Sequence, residues 1–224
     1  MVELDGRIER EVVERLYRDG RINVSRIRVS VADGTVVLRG SVSSHENRQI
    51  AVADAWSVNG VTQVRDEMAV EYEEPLPTDE EIAVRAGRIL EWNPGLDHTT
   101  IHVEVSGGIL ILEGPVPSYW KKLKVEQLVS QITGVLKVKN RLAVVPSHRM
   151  NDEALARDVG DAIERSPDVP YKDIDVRVEG GMVILSGIVP TGISRNAAFE
   201  AAVYTAGTME VRNEITVEPM IRGT

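Results

Sequence analysis

The sequence predicts an α+β protein made of three tandem αββαβ modules, each a two-layer sandwich of two helices on a three-stranded mixed sheet. Three observations carry this reading. The 224 residues superimpose on themselves at constant offsets of 74 and then 73, aligning 4–72, 78–145 and 151–218 without a gap. Within each copy the apolar spacing passes from helical to alternating and back. Glycines recur in register, as Gly34, Gly108 and Gly181, then Gly40, Gly114 and Gly187, then Gly60, Gly134 and Gly207. The predicted modules are 1–74, 75–148 and 149–224, joined by short proline-containing links at 73–78 and 146–151.

Asp5, Asp79 and Asp152 stand at the openings of the copies. Ile8, Val12 and Leu16 match Ile82, Ala86 and Leu90 and then Leu155, Val159 and Ile163, a spacing of four that lays one apolar stripe along a first helix. Thr78 with Glu81 fits a capping box, and Asn151 supplies an N-cap. Ile27, Val29 and Val31 and their counterparts alternate with polar residues, as in a strand with one buried face. Asp33-Gly34, Gly107-Gly108 and Gly180-Gly181 are two-residue hairpin turns. The returning strand carries Val36, Leu38 and Val42, a second helix runs to Gly60, Gly134 or Gly207, and a strand through Val64, Met68 and Val70 closes the unit. Strand order is left open.

Composition excludes several functions. There is no Cys, hence no disulfide framework, thiolate metal site or cysteine nucleophile. A net charge of −9 argues against nucleic acid as a partner, since unspecific binding needs Lys and Arg against phosphates. The start of the sequence has no signal-peptide pattern and no stretch reaches the ~18 apolar residues of a membrane span. As encoded the chain reads as cytoplasmic, or as periplasmic or envelope-located if an export signal has been removed. No phosphate-binding glycine loop, nucleophile elbow, Ser/His/Asp set or HExxH occurs. His98 and His102 lie four apart around a strand start without a third ligand. No catalytic residue, metal or cofactor is therefore predicted, and the chain does not read as an enzyme.

The pattern V-x-V-x-x-G-x-V-x-L-x-G-x-V, a small-residue helix, then G-V-x-x-V-x-N-x-L-x-V resembles the BON domain, named for bacterial osmotically inducible and nodulation proteins. It falls on 29–42 with 60–70, 103–116 with 134–144, and 176–189 with 207–217. Asp66 stands where the other copies have Asn140 and Asn213, and Thr208-Met209 replaces the Gly-Val continuation. The resemblance implies a non-enzymatic, transport-associated protein of osmotic or envelope stress. Its modules would contact phospholipid surfaces or an envelope protein. One related group binds potassium, and the αββαβ unit is similar to ring-building domains of secretion systems. Self-association, or a compact pseudo-threefold particle of the three copies, follows as an alternative reading, and a potassium or small-ligand sensor as another.

Gly40, Gly114 and Gly187 fall on the inward parity of a strand, where a missing side chain lets a helix approach. Asp66, Asn140 and Asn213 also share the inward parity; the expectation is a short side chain satisfying local backbone amides, with cation coordination by Asp66 as the alternative. Differences between copies locate the candidate site. Trp56, Trp92 and Trp120 all lie off the shared core positions, so they seal contacts between modules or meet a partner. In the segment 117–124, Tyr119 and Trp120 stand with Lys121, Lys122 and Lys124 at a helix start, the combination suited to an anionic lipid surface or another anionic partner. The equivalent segments of the other copies lack it. The modules carry net charges of −4, 0 and −5, so the middle one is least acidic, and Lys137, Lys139 and Arg141 extend its basic character onto the open sheet face.

Overall fold

The computed structural model describes residues 2–72, 75–147, 150–167, 169–170 and 173–218. Module 1 runs α1 (Val2–Arg18), β1 (Ile27–Ala32), β2 (Thr35–Val42), α2 (His45–Trp56) and β3 (Gln63–Val70). Module 2 repeats this as α3 (Asp79–Glu91), β4 (His102–Ser106), β5 (Ile109–Val116), α4 (Tyr119–Ser130) and β6 (Lys137–Val144). Module 3 comprises α5 (Asp152–Glu164), β7 (Ile174–Glu179), β8 (Met182–Val189), α6 (Gly192–Tyr204), β9 (Glu210–Asn213) and β10 (Thr216–Val217).

The second strand of each module is central. It pairs antiparallel with the first strand through the tight hairpin and parallel with the last one, which the second helix delivers to its far side. Both helices cover one face. In module 1, Ile8, Val12 and Leu16 from α1 and Ala51 and Ala55 from α2 meet Val36, Leu38 and Met68, nearly all of them inaccessible. Ile82, Ala86 and Leu90 with Val125 and Val129, and Leu155, Val159 and Ile163 with Ala198 and Ala202, repeat the arrangement. Burial of each larger side chain contributes about 1.5–3 kcal/mol. Thr78 and Glu81 form the expected capping box, and Asn151 accepts from the Ala154 amide at 2.7 Å.

The structure departs from the sequence reading in three places. The second helices stop at Trp56, Ser130 and Tyr204, short of the glycines expected to end them. The last strand of module 3 is broken at 214–215, so both β9 and β10 pair with β8. Gly40, Gly114 and Gly187 do not make room for a helix. They hold φ of 115°, 125° and 129°, and a Cβ there would lie 2.0 Å from the carbonyl oxygen of Arg26, Thr100 or Asp173, in the backbone entering the first strand. A central-strand kink against its neighbour's backbone is what requires glycine.

The modules meet through their second helices. Where α2 starts and α4 ends, Gln131 Nε2 donates to Glu46 at 2.9 Å, Ser130 lies 3.5 Å from Gln49, and Tyr72 donates to the Val135 carbonyl at 2.8 Å. Where α4 starts and α6 ends, Trp120 stacks on Tyr204 with ring centroids 6.4 Å apart. Where α6 starts and α2 ends, Gly192 lies against the Trp56 backbone and the Arg195 guanidinium sits 5.0 Å from the centre of the Trp56 ring. By the repeat offsets these are equivalent places: Glu46, Trp120 and Ile193 share one position, and Ser57, Gln131 and Tyr204 another. Three similar seams therefore link the three modules in a cycle.

Candidate functional site

The α4 start is built by two opposed demands on one helix. At 100° per residue, Val125 and Val129 face their own sheet while Tyr119, Trp120 and Leu123 face module 3. Tyr119 packs against both cores, and burial pushes its phenol pKa up. The Lys121 ammonium rides 5.5 Å from the centre of the Trp120 ring, a cation–π contact. Lys122 is half-buried, and its carbonyl accepts from Asn140. Lys124 is exposed and donates to Gln127 at 3.0 Å. The five candidate residues thus divide. Tyr119 and Trp120, with Lys121 laid over the indole, occupy the seam, and Lys124 faces outward beside it. Trp56 also lies in a seam. Trp92 alone among the tryptophans stands clear, 78% exposed.

Asp66, Asn140 and Asn213 each accept from the amide two residues on, at 3.0, 3.2 and 3.1 Å, and each reaches the second helix of its module. Asp66 takes Arg48 Nε at 2.6 Å, while Asn140 and Asn213 donate to the carbonyls of Lys122 and Arg195. These side chains tie strand to helix. The Asp66 carboxylate is engaged by an arginine rather than arranged for a cation.

The aspartates that open the copies have a role that sequence reading missed. Asp5, Asp79 and Asp152 each accept two hairpin amides, from Asp33 and Gly34, Gly107 and Gly108, and Gly180 and Gly181, at 2.7–3.1 Å. These bonds hold the Asp79 carboxyl below its usual pKa range. The available signal was the constant separation of each Asp from its turn; an acid near a helix start masks it, because such residues are common there. His98 lies in a short 3₁₀ turn and His102 on β4, and no cluster of metal-ligating side chains occurs among the described residues. No helix of the described residues is long and apolar enough to cross a membrane.

A family model, that of the BON domain, matches three times, over 4–72, 78–146 and 151–219. The chain belongs to the BON domain family. Its three BON modules share one fold, and each seam joins the start of one second helix to the end of another. Comparison with solved structures finds CdsD, a structural protein of the type III secretion system of Chlamydia trachomatis, at 15% identity and TM-score 0.27, covering 96% of this chain and 93% of that one. The C-terminal domain of CdsD matches at 14% identity and TM-score 0.26, covering 94% and 96%. The periplasmic domain of PrgH, an inner membrane protein of that system in S. typhimurium, matches at 13% and 0.23, covering 86% and 100%. No curated protein matches.

Proposed function

We propose that this BON protein is a non-enzymatic binding and scaffolding body that contacts an anionic phospholipid surface, with an envelope protein as the alternative partner, through the α4 start of its middle module. A binding or scaffolding role fits the family. The observation that carries the reading is the division of the α4 segment: Tyr119 and Trp120 anchor the helix start against module 3 with Lys121 over the indole, which sets the half-buried Lys122 and the exposed Lys124 beside the seam on the least acidic module. Lys137 and Lys139, exposed on the same module, add to the field. The contact is then chiefly electrostatic, worth roughly 1 kcal/mol per well-placed basic residue and weakened by salt.

Sedimentation with vesicles tests this. The protein pellets with phosphatidylglycerol-containing vesicles at low salt and not with phosphatidylcholine alone. Lys122→Glu with Lys124→Glu weakens pelleting by about tenfold or more, at roughly 1 kcal/mol per charge, whereas Trp120→Ala keeps it and lowers thermal stability. Absence of pelleting at low salt removes the lipid surface as the partner; equal pelleting of the double Lys variant removes the site.

A further inference from the structure

The seam between α2 and α6 differs from the other two. Where Glu46 meets Gln131 and Trp120 meets Tyr204, the equivalent residues here are Ile193 and Ser57, and both line a cavity of about 430 Å³ between the helices. That volume lies in the range of small-ligand sites, which favour domain boundaries. Trp56 forms one wall and Gln49 and Asn196 place amides at the rim.

The cavity also contains a cation without a counter-ion. Arg195 is equivalent to Arg48 and Lys122. In module 1 Arg48 is neutralised by Asp66 at 2.6 Å. In module 3 the residue equivalent to Asp66 is Asn213, so that carboxylate is missing. Arg195 donates from Nε to the Ile215 carbonyl at 3.2 Å and from Nη2 to the Asn213 carbonyl at 3.4 Å, leaving Nη1 without a protein partner among the described residues. Glu200, the one carboxylate lining the cavity, is exposed; it accepts from Asn196 at 3.0 Å, and no ion pair joins it to Arg195. Besides these two carbonyls its one further partner among the described residues is the Trp56 ring, 5.0 Å away; a half-buried guanidinium held by neutral groups alone is incompletely compensated, and its planar fork suits a carboxylate or a phosphate. Burial shifts its pKa downward, consistent with missing negative charge.

From the cavity, the unneutralised Arg195 and the indole beside it, we propose that the α2/α6 seam binds a small anionic molecule with a flat apolar body, the anion on Arg195 and the flat part along Trp56. This is independent of the α4 lysine site.

The test uses the full chain and 2-naphthoate as probe, with 2-naphthalenemethanol as its uncharged counterpart, followed by ligand-observed NMR titration. Naphthoate binds the wild type, and the alcohol binds at least about tenfold more weakly, the scale of losing a charge-assisted hydrogen bond. Arg195→Gln reduces naphthoate affinity by a similar factor. Ile193→Trp introduces at this seam the residue that stands at the equivalent position of module 2, fills the cavity and abolishes binding; it decides the matter if Arg195→Gln does not fold. The proposal is overturned if acid and alcohol bind equally, if naphthoate still binds Ile193→Trp, or if the wild type takes up no naphthoate to about 10 mM, an affinity below about 3 kcal/mol.

Discussion

Replacing Gly192 by alanine probes how closely module 3 is seated on module 1. A Cβ at this position would lie 2.2 Å from the Trp56 carbonyl oxygen and 3.0 Å from Cε3 of its ring. Carbon and oxygen in ordinary contact stay about 3.3 Å apart, so the end of α2 must withdraw by roughly an ångström. Overpacking of this kind costs about 1–3 kcal/mol. The opposing gain, at most about 1 kcal/mol for Ala over Gly within a helix, is smaller here because Gly192 is the first residue of α6. Destabilisation wins, and for 224 residues the melting temperature falls by about 2–8 °C. Gly160→Ala is the matched control. It lies within α5 with nothing within 4 Å of its added Cβ, so the helical gain acts alone and raises the melting temperature by about 2–3 °C. Thermal melts followed by circular dichroism, with tryptophan emission as a report on the seam, measure both. If Gly192→Ala is as stable as the wild type or moves upward with the control, the close approach of α6 to α2 is wrong.

Gly114→Ala places a Cβ 2.0 Å from the Thr100 carbonyl at φ 125°, so the middle module should lose about 3 kcal/mol or more, read by urea unfolding. Trp120→Ala removes a half-buried ring stacked on Tyr204 and should cost about 1–3 kcal/mol in the same assay. Asp79 has a folded pKa below its unfolded value of about 3.9. Its contribution is complete above that unfolded value and is lost as pH falls through the lower folded one. Asp79→Ala should therefore melt below the wild type at neutral pH, with the gap closing on acidification; a gap constant across the acid range would contradict the amide clamp.

The repeated frame was legible because periodicity reports burial. Val29, Leu38 and Val125 lie where their spacing puts them, and the hairpins follow from Asp33-Gly34 and its counterparts. The tight glycine at position 114 was recognised but not its contact, because the opposing atom belongs to backbone and leaves no mark in composition. Trp120 lies off the core of its own module, whereas Trp56 packs against the cores of modules 1 and 3 and its equivalents Ser130 and Val203 are buried; the choice between a seam and a partner depends on how modules pack, which no pattern within one repeat encodes. Arg195 was not singled out. Asn213 in place of Asp66 was visible in the alignment of the copies, but that Asp66 neutralises Arg48, and that Arg195 borders a cavity, are contacts between elements that only the fold brings together.

Each seam joins two unlike surfaces, the head of one second helix and the tail of another, and such heterologous contacts close only when the number of units matches the rotation per step. Here the number is three, and the chain consumes every head and every tail within itself. A fragment ending after module 2 would keep the α2–α4 contact but uncover the head carrying Trp120 and the tail carrying Trp56 on the same molecule. It would then hold both ends of an open-ended assembly, with two tryptophans as its adhesive faces. With all three modules present, these second-helix ends are covered by one another.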